Sequence, residues 1–283
     1  MATTAANWAS PPTRPPLIET LVSGVDRYNP SNVGILEDYL YHQIRSQEYD
    51  CLANLAILKL YQFNPDLYNP DVVINILIKA LTSAPFPDFA LCISLLDDRP
   101  AAAAAASSNP DEPDPLPQLL PVLARLHALL QQCRFPQFWA LYRSAQVEPL
   151  RDNYTVECVG FEDAVRDVAI RAVRAAFTSI GSARLGSYLD LSGESCVLRF
   201  CGRSVREEGM RMLTACVVGD ELNAYVEKLG WKIDASTGVV SIPPNPDNQI
   251  ESTVVQENIQ LPQLVKVIAH AAQTSLPVVS AVN

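Results

Sequence analysis

ANLAILKLYQFNP, residues Ala53–Pro65, reads as a helix with almost no polar face. Leu55, Ile57, Leu58, Leu60, Tyr61 and Phe63 crowd it, and Asn64-Pro65 stops it. A helix apolar on every side must be covered on every side. A bilayer, a ligand pocket or the middle of a helical stack would each do that. Spanning a bilayer takes about 18 or more consecutive apolar residues, and the chain has no such run. The flanking sequence favours the stack.

From Leu17 to about Gln146 the pattern is one of short helices joined by brief turns. SNVGILEDYLYHQI opens on Ser31 as cap, with Leu36, Tyr39, Leu40 and Ile44 on one face. Asp71 caps VVINILIKALT, a second helix apolar nearly all round. PDFALCISLLDD starts at Pro87, and LPQLLPVLARLHALLQQC carries Leu119, Leu123, Leu126 and Leu130 on one face with Pro121 in its first turn. FPQFWALYRSAQ closes the series. Stacked helical hairpins without a strict repeat fit this order. Residues 1–16, rich in proline, read as a disordered tail without signal-peptide character, and 99–117, RPAAAAAASSNPDEPDPLP, as a flexible surface loop.

After Arg151 the pattern changes. GFEDAVRDVAIRAVRAAFTSI reads as one helix whose buried face runs from Phe161 through Val165, Val168 and Val173 to Ile180. ARLGSYLDL and DELNAYVEKLG follow as helices, the latter capped by Gly230. WKIDASTGVVSIPP then gives two short runs around a glycine-containing turn, a β-hairpin. Three helices and a hairpin are the order of a winged helix, here 159–244. Residues 245–283 add one short helix, roughly LPQLVKVIAHAAQ.

The formal net charge of −10 argues against bulk attraction to nucleic acid or anionic membrane. Seven cysteines, an odd number with no CxxC pair, suit a reducing compartment and argue against a disulfide framework or zinc site. His42, His127 and His270 sit on separate helices without metal-like spacing, GESCV breaks the nucleophile-elbow pattern at Val197, and neither GxGxxG nor GxxxxGK[ST] occurs. No enzyme, cofactor, metal or small-molecule substrate is expected. A recognition helix that enters a DNA groove brings Lys and Arg to phosphates. Here Lys228 and Lys232 face Asp220, Glu221, Glu227 and Asp234, which favours a protein-docking module over a nucleic-acid-binding winged helix.

Arg166, Arg171 and Arg174 fall within about 140° on their helix and are candidates for a local RNA or acidic-partner contact, against the simpler reading of a solvated face paired with Asp163 and Asp167. Tyr61, Phe63 and Tyr68 read as packing around the Asn64-Pro65 turn rather than as an exposed platform. The stripe Leu261, Leu264, Val267 and Ile268 is the candidate for partner docking, with packing on the winged helix as its rival.

Helical hairpins followed by a winged helix are the architecture of PCI-type scaffold subunits. GVDRYNP (24–30), YDCLANLAILKLYQFNP (49–65), ILIKALTSAPFPDFALC (76–92), FPQFWALY (135–142), GFEDAVR (160–166) and YVEKLGW (225–231) together resemble one family, subunit k of eukaryotic translation initiation factor 3. The resemblance implies a HEAT-like helical domain, 17–158, before the winged helix. It implies a non-catalytic cytoplasmic subunit that docks with other subunits of the factor, especially subunit l, and supports initiation on the small ribosomal subunit through the complex. A PCI-type scaffold of the proteasome lid or the signalosome is the alternative.

Two places depart from the family pattern. One is the loop at 99–117. The other is GESCVLRFCGRSVREEGMRMLTACVV, which holds three of the seven cysteines and has poor periodicity. Codons for Gly193–Ser195 can spell a splice donor, those for Leu213-Thr214 a branch sequence and those for Val217-Val218 an acceptor. Removal of 193–217 keeps the frame. The residues therefore permit a translated intron, with a lineage-specific loop as the rival reading.

Overall fold

Proline and asparagine divide the first half of the chain into short helices. The computed structural model describes residues 11–97, 114–191, 220–234, 236–249, 264–266 and 268–270. The insertion 193–217, most of the loop 99–117, the first ten residues, Leu261 and Val267 lie outside the described residues. Helix α1 spans Pro16–Ser23, α2 Val33–Ser46, α3 Cys51–Phe63, α4 Pro70–Leu81, α5 Asp88–Asp97, α6 Leu116–Gln131 and α7 Phe135–Tyr142. Two caps differ from expectation. Asn69, not Asp71, opens α4 by accepting from the Asp71 amide at 3.0 Å. Asn29 accepts from the Ser31 amide, so Ser31 caps nothing. Each asparagine accepts from the amide two residues on, the Asx-turn geometry. Pro121 lies inside α6 rather than in its first turn, because the helix starts at Leu116.

The stack is built around α4, not α3. Every residue of α4 from Val72 to Leu81 is buried, Asn75 and Lys79 included. It packs against α2, α5 and α6, which cover it on all sides as an all-apolar helix requires. Helix α3 packs against α1, α2 and α5 and buries Ala53, Ile57, Leu58 and Leu60. Its Leu52 and Phe63 are exposed and Leu55 is half-buried, so one face stays open. Tyr61 is buried and its ring meets Tyr68 edge-on at 5.8 Å, as the packing reading requires, whereas Phe63 is 58% exposed.

A polar spine runs through this apolar body. Asp50 caps α3 by accepting from the Ala53 amide at 3.1 Å. Arg14 donates to both oxygens of Asp50, and Tyr39 donates to it at 3.3 Å. Gln43 accepts from the Asp50 amide and donates to Asn54, and Lys79 Nζ donates to the Gln43 carbonyl at 3.0 Å. Arg14 lies within the stretch read as tail, and its side chain is held beneath the surface by this pairing.

The second half follows as α8 (Phe161–Ala176), β1 (Ser179–Gly181), α9 (Ser182–Leu189), α10 (Asp220–Lys228), β2 (Lys232–Asp234) and β3 (Val239–Ser241). The hairpin is present, and a third strand joins it. The sheet order is β1-β3-β2, all antiparallel, with Ser179 and Lys232 both opposite Ser241. The expected single helix through Ile180 therefore ends at Ala176. Phe177, Thr178 and Ile180 favour a strand, and Ile180 points inward beside Val240. The chain is mainly helical, a helical-hairpin stack followed by a winged helix of PCI-like kind.

Residues Met1–Asn248 form one compact unit and Gln249–Asn283 a second. Within the first, one core runs from Ile18 to Ile242. Polar ties reinforce it: the Val159 amide donates to the Ile44 carbonyl at 3.0 Å, and Tyr154 donates to Asp71 at 2.6 Å.

Candidate docking surfaces

Three surfaces follow from the sequence: the arginines of α8, the third helix and wing of the winged helix, and the C-terminal apolar stripe. On α8, Arg166 is almost fully used within the chain. Its Nε donates to the Leu189 carbonyl at 3.0 Å, its Nη1 to Asp163 at 2.7 Å and its Nη2 to Glu162 at 3.2 Å. Its guanidinium also lies over the Trp139 ring, 5.6 Å from the centroid. Arg166 thus fastens α8 to α9 and α7. Arg171 donates to the carbonyls of Thr82 and Ala84 at 3.2 and 3.1 Å, beyond the end of α4. Desolvation lowers its pKa, with Asp167 acting in the opposite sense. Arg174 is exposed; its carbonyl accepts from Asn245, and its guanidinium has no partner among the described residues. The structure does not bring the three guanidiniums to one free surface.

Helix α10 offers Glu221 and Glu227 with Lys228 at its end, an acidic surface. The wing is held by Asp234. It accepts from the Ser236 amide and hydroxyl at 2.9 and 2.6 Å and from the Thr237 hydroxyl at 2.8 Å. Those bonds hold its carboxyl down at about 2. A phosphate backbone would meet negative charge on both elements.

Described residues 264–266 and 268–270 are helical, and Leu264, Val265 and Ile268 are exposed. Leu264 and Ile268 are four residues apart and share a face. Leu261 and Val267 of the same candidate stripe lie outside the described residues.

The chemistry available elsewhere is sparse. A 350 Å³ cavity opens between α7 and the start of α8. Its cations Arg151 and Arg166 are paired with Asp152, Asp163 and Glu162. Its one thiol, Cys158, is buried with a raised pKa, and no histidine lines it. His127 stacks on Phe89 at 4.3 Å, and burial lowers its pKa. His42 lies 3.7 Å from Glu48 at the surface. Among the described residues no three His, Cys, Asp or Glu side chains converge as metal ligands, and no helix is long and apolar enough to cross a membrane. The surface missed by sequence reasoning is the open face of α3. Lys59, the single charge on α3, lies on that face, but the buried Lys79 of α4 shows that a lone lysine does not by itself mark an uncovered side.

A family model described as the CSN8/PSMD8/EIF3K family matches residues 67–254. The chain is 40% identical to eukaryotic translation initiation factor 3 subunit K of Mycosarcoma maydis, across 94% of this chain and 95% of the relative. It is 36% identical to the protein of that name from Cryptococcus neoformans var. neoformans, across 93% and 94%. The Phaeosphaeria nodorum protein of that name is also 36% identical, across 92% and 95%.

Proposed function

The chain belongs to the CSN8/PSMD8/EIF3K family, and from that premise we propose that it is a non-catalytic structural subunit of eukaryotic translation initiation factor 3. The observation that carries this reading is similarity along nearly the whole length of several relatives bearing one name. The subunit works in the cytoplasm and supports initiation on the small ribosomal subunit through the assembled factor.

Docking to sister subunits, subunit l first among them, is assigned to the C-terminal stripe of Leu261, Leu264, Val267 and Ile268. The exposure of Leu264 and Ile268 supports that assignment. Of the three α8 arginines, Arg174 is the one exposed and without a side-chain partner among the described residues, and so the one left for an acidic partner or RNA.

Affinity purification of the tagged protein from its own cytosol, with mass spectrometry of its partners, tests the reading. Recovery of subunit l with other subunits of the factor is expected. Recovery of proteasome-lid or signalosome subunits without the factor would overturn it. Leu264→Asp with Ile268→Asp is expected to abolish partner recovery and leave the monomer folded; an unfolded monomer would place the stripe in the protein's own core.

A further inference from the structure

The open face of α3 forms the floor of a 280 Å³ groove. Leu52, Leu55 and Lys59 rise along it at helical spacing, and Phe63 continues the line. Val22 of α1 and Leu95 of α5 form the walls, and Tyr28 closes one end with its ring 6.2 Å from that of Phe63. Apolar side chains in water here are not scattered. Leu52 is 41% exposed, Tyr28 46% and Phe63 58%, and all belong to one surface. Contiguous exposed apolar area of this kind marks an interaction site.

The charges that line the groove have one sign. Arg27 lies over the Tyr28 ring at 4.8 Å and Lys59 over the Phe63 ring at 4.8 Å. Among the described residues neither has a carboxylate partner; Lys59 donates to Gln62 at 2.5 Å. In a chain of net charge −10 that is a local reversal. We propose that this groove docks an acidic amphipathic helix of another protein, its apolar face on Leu52, Leu55 and Leu95 and its carboxylates on Arg27 and Lys59.

The competing occupants fit less well. At 280 Å³ and open to the surface the groove falls below the range of roughly 300–1,000 Å³ usual for small-molecule pockets. A second copy meeting it through a two-fold axis would set Arg27 and Lys59 against their own equivalents, a like-charge contact. Single-stranded RNA would use the rings and cations but leave the aliphatic floor without a complement. A helix carrying apolar residues at i, i+3, i+4 and i+7 fills such a floor and offers its flanks to the charges.

The test uses the full-length protein and two displayed helical peptide pools. Both carry randomised Leu, Ile, Met or Phe at i, i+3, i+4 and i+7; one has glutamate on the polar face and the other lysine. Enrichment from the glutamate pool is expected. The enriched peptides should lose about tenfold or more in affinity, by fluorescence anisotropy, on Leu55→Glu, on Lys59→Glu and on Phe63→Ala. Phe63 is exposed, so its variant keeps the test valid if Leu55→Glu fails to fold. No enrichment above the Lys59→Glu chain, or preference for the lysine pool, overturns the proposal. Binding of a fifteen-nucleotide oligouridine that these substitutions remove reassigns the groove to nucleic acid. A dimer in sedimentation that Phe63→Ala dissolves reassigns it to a second copy.

Discussion

Arg14 grips Asp50 with two parallel hydrogen bonds, Nε to Oδ2 and Nη2 to Oδ1, each 2.6 Å, and both side chains are nearly excluded from solvent. The pair ties the segment before α1 to the cap of α3. Removing one partner of such a pair strands a buried charge, at a cost of roughly 3–5 kcal/mol. Arg14→Ala is therefore expected to lower unfolding free energy by that order in urea titration. Arg14→Met with Asp50→Asn should cost less, since no buried charge remains. Equal losses would mean that the lost hydrogen bonds, not a stranded charge, set the cost, since asparagine caps α3 as aspartate does.

Lys79 is buried in α4 and donates to the Gln43 carbonyl. Burial lowers its pKa from the ordinary 10.5. Between the folded value and 10.5 the unfolded chain binds the extra proton, so this group's contribution makes stability rise with pH across that window. Lys79→Met is expected to raise stability at neutral pH by on the order of 1 kcal/mol. The gain should shrink as pH approaches 10.5. Denaturant titrations of both proteins at neutral and alkaline pH check it.

His127 acts at the other end of the scale. Desolvation lowers its pKa from the ordinary 6.5, and its Nε2 has no hydrogen-bond partner among the described residues. The unfolded chain takes up this proton first. The neutral ring's contribution is full above 6.5 and is lost as pH falls from there through the folded value. His127→Leu should flatten the loss of thermal stability between neutral and mildly acidic pH.

Cys51, Cys92 and Cys158 are buried, while Cys133 is exposed. Burial raises the buried thiols, Cys51 to about 12. Alkylation of the native protein should modify Cys133 well before those three, because the thiolate is the nucleophile and must be reachable. Peptide mapping after brief iodoacetamide treatment reads the order directly.

Helix α9 ends at Leu189 and α10 begins at Asp220. If 193–217 is a translated intron, tryptic digests will contain LGSYLDLSVGDELNAYVEK, which joins Ser192 to Val218. Reproducible peptides from within 193–217 at normal abundance would establish the segment as part of the protein.

Much of the fold was legible because burial and periodicity coincide. Phe161, Val165, Val168 and Val173 repeat at helical spacing, and all four are buried. Strand β1 was not legible. It is three residues long, follows a strong helix without a proline or a turn pair, and is stabilised by pairing with β3, sixty residues away in sequence. The roles of α3 and α4 were indistinguishable by composition. Only the packing of α1, α2 and α5 decides which helix keeps an open face. Arg166, Arg171 and Arg174 share one helix, but carbonyl acceptors on Leu189, Thr82 and Ala84 leave no trace in a sequence.

The complete enclosure of α4 also has a consequence in time. On the ribosome α4 is made before α5 and α6, and α6 begins only at Leu116. At roughly 5–20 residues per second that interval lasts on the order of seconds. During it, a helix buried without a break from Val72 to Leu81 is extruded with α2 but without its remaining cover. Newborn chains at that stage are natural clients for a ribosome-bound holdase, and pauses in synthesis after Leu81 would prolong their exposure to aggregation.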